Sequence, residues 1–117
     1  MKYMVGYNKE EALAFVLRHI NRREHASLAG QIEFLVSQAI DADFAYMHRM
    51  DVLDEEGYAG EGDYYDDTAL ECIVEDLALA NNLDPDQAVK MASLVADYMD
   101  LHEAYLRNQG LVQDDEG

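Results

Sequence analysis

Carboxylates are the most abundant reactive groups in this chain, and several stand at helical spacing: Asp67 and Glu71, Glu71 and Glu75, Asp97 and Asp100. Pairs three or four residues apart share one side of a helix, as paired acid–base chemistry or a carboxylate-bound metal would need. With 25 acids in 117 residues, such pairs arise by abundance alone. A di-metal bundle site uses Glu-x-x-His elements, and none of the four histidines lies three residues after a glutamate. His102 falls on the apolar face of the last helical pattern and reads as a core or boundary histidine. Cys72 follows Glu71, and neighbouring carboxylates disfavour its thiolate, so it reads as a small core residue. The chain has no Gly-x-Ser-x-Gly elbow, no phosphate-cradling glycine loop and no zinc-ligand spacing. One cysteine also excludes an internal disulfide. The expectation is a protein that is not an enzyme, with no catalytic, cofactor-binding or metal residue.

Two charged constellations remain. Residues 51–67, DVLDEEGYAGEGDYYDD, hold three glycines, three tyrosines and only acidic charges. None of the three glycines can be the sixth residue of an EF-hand loop with acids at its first, third and fifth positions, so no specific calcium site is expected. Instead Asp63, Tyr64, Tyr65, Asp66 and Asp67 are the candidate contact surface for a partner. The second constellation is basic: Arg18, Arg22 and Arg23, flanked by His19 and His25, gather at the end of the first helical pattern, with Arg18 and Arg22 on one face. These arginines are the candidate nucleic-acid-binding residues; the alternative is that they pair internally with the acidic loop or the last helix.

Charge placement decides which constellation leads. Residues 1–50 carry six basic groups and six acids, whereas residues 51–117 carry 19 acids against Lys90 and Arg107, so the whole formal charge of −17 lies in the second half. Such a surface opposes phosphate binding and speeds encounter with basic partners at low salt. The reading is protein–protein interaction with a basic partner of the nucleic-acid-binding kind through the acidic half, which would imitate the charge of DNA. The alternative function is direct nucleic-acid binding through the arginines, and an acidic face that only confers solubility is the bland one.

Four helical patterns must position these groups. Asn8 with Glu11 three residues later marks the first start, and Leu13, Val16, Leu17 and Ile20 form its apolar side until the NRREH segment at 21–25. Leu28, Ile32, Leu35, Val36, Ala39, Ile40, Phe44, Met47 and Met50 continue at helical spacing through a second, for which Ser27 is the predicted cap and Gly30 an unfavourable first-turn residue. A loop over about 56–66 follows, its glycines supplying unusual backbone angles. Thr68 and Glu71 predict a capping box for the third helix, with Asp66 and Asp67 at its positive end. Asp84-Pro85-Asp86-Gln87 starts the fourth, which runs to about Arg107 with Tyr98 and Tyr105 packing inward and their hydroxyls reaching outward. The prediction is an all-α fold, a small bundle of about four helices in two hairpins joined by an acidic Gly/Tyr loop. Residues 1–110 form a single helical domain and 111–117 a mobile acidic tail. The helix-turn-helix shape of residues 76–95 carries only Lys90 as a base, so it reads as a packing hairpin and not a groove reader.

No apolar run approaches the ~20 residues of a membrane span, and no secretory leader pattern opens the chain, so a cytoplasmic setting is expected. The succession QIEFLVSQAIDADFAYM, DVLDEEGYAGEGDYYDD and ALECIVEDLALANNLDPDQAVKMASLVADYMDLHEAYL resembles a family of small transposon-encoded proteins from gut clostridial bacteria. That resemblance covers most of the chain and implies a helical fold, a mobile-element setting and nucleic-acid binding. It brings no active-site residues.

Overall fold

Helix boundaries follow from which backbone groups find partners. In this computed structural model, which describes residues 7–28, 30–54 and 60–110, Asn8 Oδ1 accepts from the Glu11 backbone N–H at 3.0 Å and opens α1, Lys9–His19. A 3₁₀ turn, Ala26–Leu28, precedes α2, Ile32–Arg49. Then come α3, Asp66–Asn81, and α4, Pro85–Asn108. No strand occurs among the described residues. Residues 1–6, part of the loop at 55–59 and the acidic tail at 111–117 lie outside them.

Asp84 makes the full reciprocal cap of α4. Its carboxylate accepts from the Gln87 N–H at 2.8 Å, and the Gln87 side chain accepts from the Asp84 N–H at 3.2 Å. Replacing Asp84 with Ala should therefore cost about 1 kcal/mol in urea unfolding, whereas Asp84→Asn, which keeps the acceptor, should cost little. Asn82 ends α3 in the left-handed region at φ 53, a conformation asparagine tolerates.

Several expected boundaries move. The first helix stops at His19, because Ile20 turns extended, so Arg22 and Arg23 lie off the helix and share no helical face with Arg18. Ser27 caps nothing: it sits inside the 3₁₀ turn, and α2 starts after Gln31 without a side-chain cap. The burial of both His25 and Leu28 explains the change, since this tight turn drops both into the bundle. Gly30 consequently precedes α2 and imposes no helix penalty. At α3 the cap position is Tyr65, whose carbonyl accepts from the Ala69 N–H at 2.9 Å. Thr68 thus falls within the first turn and makes no capping box, although Asp66 and Asp67 do occupy that turn.

Around the bundle, α2 packs on α1, α3 and α4, and α4 also packs on α1 and α3. Contacts descend along α2 as they ascend α3, from Tyr64–Asp43 to Asn81–Gln38, so these two run antiparallel. One apolar cluster holds Val16, Ile32, Val36, Ile40, Ile73, Leu77, Met91 and Val95 from all four helices. A second, with Ala12, Tyr46, Met47, Leu53, Ala69 and Leu106, sits beneath the acidic loop.

The loop is pinned by close backbone approach and not by unusual backbone angles at its described glycines. Asp51, left-handed at φ 58, ends the chain's exit from α2. Its carbonyl accepts from the Gly62 N–H at 2.7 Å, while Val52 O accepts from Gly60 N–H at 2.9 Å. A Cβ on Gly60 would collide with the Asp51 carbonyl oxygen, and one on Gly62 with the Met50 carbonyl oxygen.

Candidate functional site

Asp43 organises the buried side of the loop. It lies on α2 with only 2% of its surface exposed, where an ionised carboxylate needs donors to offset lost hydration. Two tyrosines supply them: Tyr64 Oη donates to Oδ1 and Tyr98 Oη to Oδ2, each at 2.8 Å. Tyr98 is fully buried, so its hydroxyl reaches inward, contrary to the outward expectation, because the core itself contains an acceptor. His102 adds a third side. Its Nδ1 lies 3.9 Å from Asp43 Oδ2 and its Nε2 2.7 Å from Tyr7 Oη. The carboxylate favours the tautomer with hydrogen on Nδ1, leaving Nε2 to accept from Tyr7.

Burial controls the protonation of this network. It pushes the Asp43 carboxyl up to about 6, against the pull of the two tyrosine hydrogen bonds and with a small further push from Asp66. It holds His102 down to about 4. Tyr98 is raised well above its ordinary value by burial and by the adjacent Asp43 charge. A carboxyl, an imidazole and a phenol with shifted protonation often mark catalysis. Here Asp43 and His102 are both closed to solvent, and their hydrogen bonds tie α2, α4 and the loop residue Tyr64 together.

What this network positions is the partner-contact candidate. The chain around Tyr65 is extended, so successive side chains alternate in direction. Tyr64 points in to Asp43, whereas Asp63 and Tyr65 are exposed, Tyr65 by 59%. Asp66 and Asp67 are exposed at the start of α3. The structure therefore brings Asp63, Tyr65, Asp66 and Asp67 to the surface and commits Tyr64 to the interior. Below them, α3 carries Glu71, Glu75 and Asp76, all exposed, and no basic residue. Asp67, Glu71 and Glu75 recur every four residues, about 6 Å of helix rise apart.

Arg18, Arg22 and Arg23 are all exposed. Arg18 lies 6.0 Å from the Phe15 ring centroid, and among the described residues none of the three forms an ion pair with an acid. His25 does not flank them as a surface cation: it is 2% exposed, with Nε2 2.6 Å from Asp97 Oδ2 on α4.

Sequence reasoning missed Asp43 and the burial of His25. For Asp43 a signal existed, since Val36, Ile40, Asp43 and Met47 continue one helical stripe and place an acid on it. For His25 none existed, because its burial follows from a 3₁₀ turn without a periodic pattern.

Comparison of the chain with protein-family models, with curated proteins and with solved structures found no match in any of the three. Among the described residues, no helix is long and apolar enough to cross a membrane.

Proposed function

We propose that this chain is a non-catalytic accessory protein of a mobile genetic element, acting in the cytoplasm by binding a basic protein partner through its acidic half. The observation that carries the reading is the row Asp63, Tyr65, Asp66, Asp67, Glu71 and Glu75, exposed along the loop end and α3 with no base among them. Carboxylates fixed on a helix present negative charge at a regular interval, as a nucleic-acid backbone does, and an aromatic beside them suits contact with arginine. The partner is a nucleic-acid-binding protein, and the chain acts toward it as a DNA mimic.

Capture from host extract at about 50 mM salt, with and without nuclease, tests this. The expected result is recovery of a basic, nucleic-acid-binding protein that nuclease treatment leaves in place and about 300 mM salt releases. Recovery of no such protein would sink the reading.

A second reading, direct nucleic-acid binding, is favoured by the three exposed arginines that meet no acid among the described residues. A gel shift at about 50 mM salt that Arg22→Glu and Arg23→Glu abolish would support it, and a blank series would remove it.

A further inference from the structure

Elsewhere on α4, Asp97 meets the buried imidazole of His25, and a second carboxylate, Glu24, stands close by. Glu24 and His25 sit together in the turn after α1, and Asp97 comes from α4; one ligand atom from each lies within 4.8 Å of the others. The Asn21 carboxamide holds the turn by accepting from the Arg23 and Glu24 backbone N–H groups at 3.0 and 3.4 Å. His25 is oriented by its contact with Asp97, and Glu24 is exposed. A hydrogen bond between His25 and Asp97 accounts for those two residues, and the Glu24 carboxylate stands within 4.8 Å of both of their ligand atoms. Among the described ion pairs neither Glu24 nor Asp97 meets a lysine or arginine.

We propose that Glu24, His25 and Asp97 form a site for a divalent transition cation, Zn²⁺ being the ion whose chemistry fits. An imidazole nitrogen with two carboxylate oxygens is a zinc donor set, with water as the fourth ligand. Calcium and magnesium prefer all-oxygen shells. Donors on a tetrahedral zinc lie about 3.4 Å apart, so binding requires His25 Nε2 and Asp97 to separate slightly from 2.6 Å and Glu24 to swing inward. The imidazole then carries its proton on Nδ1 and gives the Nε2 lone pair to the metal. The exposed side of Glu24 provides the entry path. The bound ion ties the turn between α1 and α2 to α4, and this role is independent of the acidic α3 face.

Calorimetric titration of the EDTA-treated full chain with zinc chloride, in excess magnesium, tests the proposal. One saturable zinc site is expected, with a raised thermal midpoint and a shift of the His25 ring nitrogen resonances on binding. Glu24→Gln, on an exposed side chain, should weaken zinc about tenfold or more without changing the zinc-free midpoint, and Asp97→Asn should weaken it similarly. Equal zinc affinity in Glu24→Gln and the unaltered chain, or His25 ring nitrogens that zinc does not shift, would overturn the proposal and assign any bound zinc to the diffuse acidic surface.

Discussion

Gly62→Ala is expected to lower the unfolding free energy by about 3 kcal/mol, the upper end for a group forced into a packed site. The added Cβ would run into the Met50 carbonyl oxygen. That oxygen belongs to the backbone at the end of α2, so it cannot rotate away as a side chain would. Relief requires moving the loop and breaking the Gly62 N–H bond to Asp51 O. Gly30 is the internal control: nothing lies within 4 Å of its added Cβ, so Gly30→Ala should be neutral or stabilise by about 0.5 kcal/mol through the unfolded chain. Urea midpoints for the two variants would separate the cases, and equal midpoints would contradict the described loop closure.

Tyr98→Phe is expected to cost about 1.5–3 kcal/mol at neutral pH, the range for a hydrogen bond to a charged acceptor. It removes one of the two hydroxyl donors to Asp43, and those donors oppose the upward push of burial on the carboxyl. The sign with pH follows from linkage. The Asp43 carboxyl titrates at about 6 in the fold against an ordinary 3.8. The native chain therefore binds more protons between those values, and this group adds stability as pH falls through about 6 and withdraws it as pH rises. His102, lowered from 6.5 to about 4, contributes the reverse, losing stability as pH falls through that interval, so the two oppose each other in the unaltered protein. In Tyr98→Phe the Asp43 carboxyl should titrate higher still. The variant's deficit should be largest above pH 7 and shrink toward pH 5, where the carboxyl is protonated in both proteins. Urea unfolding at the two pH values, with the Asp43 carboxyl followed by NMR, measures both effects. A deficit that did not change with pH would show that Asp43 is not the charged acceptor.

The sequence made the helical bundle legible because local rules and burial agreed along most of it. The Asp84 and Asn8 caps and the α2 and α4 stripes are each written in neighbouring residues. The misplaced starts at Ser27 and Thr68 were overridden by tertiary contacts. His25 and Leu28 are pulled inward ahead of α2, and Tyr64 is anchored to an aspartate 21 residues away. Gly60 and Gly62 are needed for space against backbone carbonyls and not for unusual backbone angles, a property of two segments brought together and of neither alone. The candidate surface was half legible in the same way. Its charge could be read directly, but the inward turn of Tyr64, which sets Asp63 and Tyr65 outward, depends on Asp43 and Tyr98 from two other helices.

That dependence makes the acidic row a positioned surface and not a diffuse charge, and the salt response of partner binding by a neutralised variant tests this most directly. The captured basic protein would be titrated with the unaltered chain and with a variant carrying Asp63→Asn, Asp66→Asn and Asp67→Asn, after circular dichroism confirms equal helix content. The account predicts that the variant binds at least about tenfold more weakly at about 50 mM salt and shows a shallower loss of affinity as salt rises. Equal affinity and an equal salt slope for the two proteins would contradict it.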